Sequence, residues 1–209
     1  MKKLDKIIIG LLLAGSVIAV FYPDTKPFRY VIPAKKLLYE VNKQGRYIST
    51  DQVAQAIMEN DPSYIYVDVR DPASYKKFTL NGAMNFPLDK IFDKTLTDIL
   101  ESDSYTVVLF SNGSTLADKA WLMLKSFNYD NIKVMKGGLN AWYRDIINPL
   151  PPDPKFTDKQ AGKRYLFRKG AQVFFTGISP AGGTSAPKPK KAAVPVVKRK
   201  KKEVTGGCG

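Results

Sequence analysis

The run Tyr105-Thr106-Val107-Val108-Leu109-Phe110 narrows most sharply what this chain can fold into. Six β-branched, aromatic and aliphatic residues with almost no polar alternation read as a strand covered on both faces. That is the pattern of a parallel sheet layered between helices. The neighbouring sequence alternates in the same sense. Ser49 or Thr50 caps a predicted helix carrying Val53, Ala56 and Ile57, with Asp51 and Gln52 in its first turn. Tyr64 to Val69 is a second strand, bounded by Asp61-Pro62 and Asp71-Pro72. A short helix over Ala73–Lys77, an extended piece at Ala83–Pro87 and a helix through Ile91–Leu100 follow. After the central strand, Ala117, Ala120, Trp121 and Leu124 mark the inner face of another helix. Ile132–Met135 is a last strand, and Leu139, Ala141 and Trp142 lie on the helix after Gly137-Gly138. Strands and helices alternating at this spacing predict an α/β fold with a largely parallel sheet.

Composition removes several kinds of chemistry. The 209 residues contain no histidine and one cysteine, Cys208. A Ser-His-Asp relay, an imidazole base and any His- or Cys-built metal cage are therefore excluded, as is an internal disulfide. No metal and no cofactor are expected.

The resemblance rests on four segments. Val67-Asp68-Val69-Arg70 resembles the Asp-x-Arg element of the rhodanese homology family. Leu80 to Pro87 resembles its Gly-Ala-x-Asn-x-Pro segment, with Thr79 where the family often has histidine. Val107 to Leu116 resembles its active-site strand and loop, and Val134 to Trp142 its closing Gly-Gly-x-x-x-Trp signature. The four stand in the family's order and spacing over residues 46–148. The resemblance implies a rhodanese-like three-layer domain, a five-stranded parallel sheet between helices. It also implies an anion-binding loop, Ser111, Asn112, Gly113, Ser114, Thr115 and Leu116, at the carboxyl end of the central strand, with Asp68 and Arg70 as loop support. In active members a cysteine opens this loop and carries sulfur as a persulfide. Here that position is Ser111, and no basic residue lies in the loop. A serine oxygen cannot form the S–S bond of a persulfide and lacks the low pKa of a loop thiol. Thiosulfate sulfurtransferase chemistry at this position is not expected. Ser111 also suits the N-cap of the following helix.

The ends of the chain carry a different message. Lys2, Lys3 and Lys6 precede sixteen uncharged residues, Ile7–Tyr22. As a helix this run is about 24 Å long, short against a hydrocarbon core of about 30 Å. We expect residues 1–22 to be an N-terminal membrane helix preceding the domain; a cleaved signal segment is the alternative reading. Residues 23–45, with Pro23, Pro27 and Pro33, are expected as a stalk. The basic residues on both sides of the run leave its orientation open, with an extracytoplasmic domain slightly favoured for a bacterial chain.

Residues 7–154 are charge-neutral, with sixteen basic and sixteen acidic side chains, so the net charge of +14 lies largely beyond them. Residues 149–178 are expected as an appended helical segment, with Thr157 as cap and Ala161, Tyr165, Leu166 and Val173 at helical spacing. Residues 179–209 are expected as a disordered basic tail. Its block Lys198, Arg199, Lys200, Lys201 and Lys202 suits anionic lipid head groups, at about 1 kcal/mol per basic residue near a membrane surface. Nucleic acid is disfavoured as a partner because no aromatic interleaving or recognition motif accompanies the charge. The tail ends Gly206-Gly207-Cys208-Gly209, a slim thiol beside a cationic block. Two functions follow. One is a membrane-anchored, non-catalytic binding or scaffold module with a protein partner. The alternative is a sulfur or redox carrier that uses Cys208 with a partner enzyme.

Overall fold

The computed structural model describes residues 31–153, 155 and 159–177. The described residues from Ile32 onward belong to one compact unit. Its centre is a five-stranded sheet of β1 (Tyr47–Ile48), β2 (Tyr64–Asp68), β3 (Met84–Asn85), β4 (Thr106–Phe110) and β5 (Ile132–Met135). The order is β1-β5-β4-β2-β3 and every pairing is parallel. Parallel pairing needs crossovers, and these are supplied by α2 (Thr50–Met58), α3 (Pro72–Lys77), α4 (Lys94–Glu101) and α5 (Thr115–Ser126), while α1 (Ala34–Asn42) precedes β1 and α6 (Gly138–Trp142) and α7 (Lys159–Thr176) follow β5.

The central position of β4 explains its sequence. Val107 and Leu109 point into a core with Leu96, Ile99 and Leu100 of α4 and Ala120, Trp121 and Leu124 of α5. Val108 and Phe110 point the other way, among Val53 and Ala54 of α2, Leu139 and Trp142 of α6 and Ala171 of α7. All four are 0% exposed, so both faces of the strand demand apolar side chains and no alternation survives.

Local chemistry sets the helix starts. Ser49, not Thr50, caps α2 in a reciprocal box with Gln52. Thr50 instead donates its hydroxyl to Asp145 Oδ2 at 3.0 Å. Asp93 accepts from the Thr95 amide at 2.8 Å, so α4 starts at Lys94. The predicted start at Ile91 falls in the turn after the 3-10 stretch Leu88–Lys90. Ala34–Asn42, inside the segment read as a stalk from its prolines, is helical, and Pro33 sits at its N-cap. A fixed proline φ is compatible with a helix entry, so the same residue serves either reading. Val41 of α1 packs on the core beside α5, and Glu40 reaches Lys125 at 3.4 Å.

Helix α7 docks on the face made by α2, α6 and the π-turn Tyr143–Ile147. Ala171 is fully buried there, and the Phe175 ring meets Trp142 edge-on at 4.9 Å. Gly162 and Gly170 lie within α7 with open space at their Cβ positions, so packing elsewhere along the helix overrides their poor propensity. Among the described residues no helix is long and apolar enough to cross a membrane. The run Ile7–Tyr22, on which the membrane-helix expectation rests, lies outside the described residues. So do Thr157, the block Lys198, Arg199, Lys200, Lys201 and Lys202, and Cys208.

Candidate functional site

The carboxyl end of β4 opens into Ser111–Ser114 and then into α5. The loop's shape is dictated by α6. The carbonyl of Ser111 accepts from the Leu139 amide at 2.8 Å, and that of Asn112 from the Asn140 amide at 2.9 Å. Gly138 allows this approach: it holds φ +57°, and a Cβ there would lie 2.3 Å from the Ser111 carbonyl oxygen and 2.7 Å from that of Gly113. Gly137, at φ +76°, donates its amide to Ser114 Oγ at 2.8 Å.

These contacts orient the amides. Each peptide is planar and trans, so the N–H following a carbonyl points the opposite way. With the carbonyls of Ser111 and Asn112 turned toward α6, the N–H groups of Asn112 and Gly113 face the other side of the loop. Among the described residues, none accepts from the amides of Asn112, Gly113, Ser114 or Thr115. The positive end of the α5 dipole lies at the same place. Oriented amides at a helix start form a seat for an anion or a carbonyl.

Ser111 is 3% exposed, and its hydroxyl donates to the Gly113 carbonyl at 2.6 Å. Its proton is therefore committed to the loop's own backbone. Asn112 accepts at Oδ1 from Arg70 Nη1 at 2.9 Å. Thr115 and Leu116 belong to the first turn of α5, and Leu116 packs partly buried on the core.

The support beneath the loop is a closed polar network. Asp68, wholly buried at the end of β2, takes Arg70 Nη2 at 2.6 Å, Arg70 Nε at 3.0 Å and the Arg70 amide at 3.0 Å. Thr79 adds its hydroxyl at 2.9 Å. A buried carboxylate with several charge-assisted or neutral donors is a structural strut rather than an available base. Asn85 Nδ2 bridges the carbonyls of Asp68 and Arg70 at 2.9 Å each, fixing the strand end from the β3 side. Arg70 spends its guanidinium on Asp68, Asn112 and the Phe78 carbonyl. The structure thus brings together Asp68, Arg70 and the loop 111–116 as one assembly. Among the described residues no grouping of three or more His, Cys, Asp or Glu side chains is placed to hold a metal ion.

Residues 49–145 match the family model of the rhodanese-like domain. The chain carries a rhodanese-like domain. Over 97 residues it is 30% identical to an adenylyltransferase and sulfurtransferase, UBA4, of Meyerozyma guilliermondii, a match covering 42% of this chain and 22% of that protein. Over 107 residues it is 35% identical to a probable molybdopterin-synthase adenylyltransferase of Pyropia yezoensis, covering 50% and 27%. The chain thus spans about a quarter of the length of these curated relatives. The rhodanese-like domain of an Anabaena protein aligns structurally at a TM-score of 0.40 with 24% identity, covering 46% of this chain and 72% of that one.

A second constellation escaped the sequence reading. Arg168 of α7 holds Asp51 through Nε at 2.8 Å and Nη2 at 3.0 Å, and Asp145 through Nη1 at 3.1 Å. Arg144 also bonds Asp145, at 2.9 Å. Burial alone would push the Asp145 carboxyl up. Hydrogen bonds from Arg144 and Thr50 and the charge of Arg168 outweigh it and hold the group below its ordinary 3.8. This cluster ties α7 to the rhodanese-like domain. Asp51 and Arg168 are 117 positions apart, so no local signal announces the pairing.

Proposed function

We propose that this chain is a membrane-anchored rhodanese-like module whose loop binds a partner or anion without transferring sulfur. The observation carrying this reading is the Ser111 hydroxyl, seated at the loop's opening and donating to the Gly113 carbonyl. Oxygen at that atom cannot take up sulfane sulfur, and the chain has no histidine to activate it. The outward amides of Asn112 and Gly113 supply a seat for a carboxylate, an oxyanion or a partner's backbone carbonyl. Anchoring rests on the Ile7–Tyr22 run. The block Lys198–Lys202 supplies affinity for anionic head groups.

One observation favours a second reading. The first curated relative is named a sulfurtransferase, and the sole thiol here is Cys208, flanked by glycines on the tail. Sulfur transfer by this chain would then use Cys208 with a partner enzyme. A thiosulfate and cyanide assay on the full chain and on Cys208→Ala separates the two. The binding module gives no turnover in either. The carrier gives turnover, or a persulfide by mass spectrometry, that vanishes with Cys208. Turnover that survives in Cys208→Ala defeats both readings.

A further inference from the structure

Because all five strands run the same way, their starts share the end of the sheet opposite the loop, and a cleft of about 250 Å³ lined by several charged side chains is folded there. Lys43 comes from α1, Arg46 from the turn before β1, Lys125 from the last turn of α5 and Lys133 from β5, with Glu40 and Asp130 as the acidic members. Four cations therefore face two carboxylates.

Both carboxylates are already engaged. Glu40 takes Lys43 at 2.6 Å and Lys125 at 3.4 Å, and Asp130 also bonds Lys125. The remaining cations have weaker compensation. Lys133 donates to the Gly45 carbonyl, and among the described residues no carboxylate lies within ion-pair distance of it. Arg46 donates to the Val41 carbonyl at 3.0 Å and the Tyr47 hydroxyl at 2.7 Å, but its buried Nε lacks a hydrogen-bond partner among the described residues. Its nearest carboxylate, Asp118, is 3.6 Å away. The guanidinium is also held in place by two rings, Tyr47 at 4.7 Å and Trp121 at 5.5 Å. A fixed cation in a concave, protein-walled recess loses little freedom on binding and focuses its field outward.

We propose that this cleft binds a phosphate group, carried by a small soluble phosphate ester or by a phospholipid head group. With Lys43 and Lys125 paired to Glu40 and Asp130, Lys133 and the loosely compensated Arg46 leave a cationic excess, and their N–H donors suit a tetrahedral oxyanion better than an uncharged ligand. The site is separate from the loop at Ser111, so it stands whichever function that loop has.

The test uses the isotope-labelled full chain in neutral detergent micelles, titrated with inorganic phosphate against sodium chloride of matched ionic strength. Saturable shifts of the Trp121 indole N–H and of the Lys43 and Lys133 amides are expected. Lys133→Gln and Lys43→Gln, both on the rim, should each weaken that binding by about tenfold. Glycerol phosphate in plain micelles and phosphatidic acid doped into the micelles then distinguish the sources; the stronger ligand at the same resonances names the carrier. The proposal is overturned by shifts confined to Ser111–Leu116 or to the basic tail, by no saturable shift, or by unchanged affinity in both variants.

Discussion

Gly138→Ala tests most directly whether the close approach of α6 shapes the loop. The new methyl group would meet three backbone carbonyl oxygens at once, those of Ser111 at 2.3 Å, Gly113 at 2.7 Å and Asn112 at 2.8 Å. None is the end of a flexible side chain, so either α6 or the loop must move. A non-glycine residue at φ +57° costs about 1–3 kcal/mol in backbone strain. Separation of the two elements also weakens the Leu139 and Asn140 hydrogen bonds, each worth about 1 kcal/mol net. The expected loss is about 3–5 kcal/mol, a large part of a typical domain's stability, with a fall in Tm of about 10 °C. Urea unfolding followed by the fluorescence of the buried Trp121 and Trp142 gives the number. Gly113→Ala is the internal control, since a Cβ there meets nothing within 4 Å. If Gly138→Ala unfolds within about 1 kcal/mol of the parent, the close approach of α6 does not shape the loop, and the derivation of the outward amides fails with it.

Three further outcomes are expected. Arg168→Ala removes the link between α7 and both Asp51 and Asp145. It should cost about 2 kcal/mol and raise amide exchange along Lys159–Thr176, whereas unchanged protection would show that apolar packing alone docks the helix. Because the Asp145 carboxyl titrates below its ordinary 3.8, the stability it contributes is complete above that value and is lost as pH falls through the depressed one. An acid titration should therefore loosen α7 only at pH values below 3.8, a step missing in Asp145→Asn. Tyr66→Phe should be neutral or stabilising by up to about 1 kcal/mol, because the tyrosine hydroxyl is buried without a hydrogen-bond partner among the described residues, and burial holds its pKa high. A loss above about 1 kcal/mol in thermal unfolding would mean that this hydroxyl does find a partner in solution.

The parts of the fold most legible in the sequence were those whose signals are local. β4 could be read from its unbroken apolar run because both of its faces are covered. The Asp68–Arg70 pair and the Gly137-Gly138 pair at the start of α6 could be read because each motif's members lie within a few positions. Helix α1 could not, since Pro33 is equally suited to a stalk and to a helix entry. It is held instead by contacts with α5 such as Glu40 with Lys125. The Arg168 cluster was illegible for the same reason: its members become neighbours only once α7 has packed. Of the candidate site, residue identities were legible but the direction of each amide was not, because that direction depends on hydrogen bonds to Leu139 and Asn140.

The loop is held in shape by main-chain contacts with α6 and by Arg70 on Asn112, and the side chain at 111 adds one hydrogen bond to a carbonyl. Scaffold and chemistry are thus decoupled at this point of the molecule. A single exchange of oxygen for sulfur at 111 would keep each of those main-chain contacts and the Arg70 strut, and would change the reactivity of the one atom they surround.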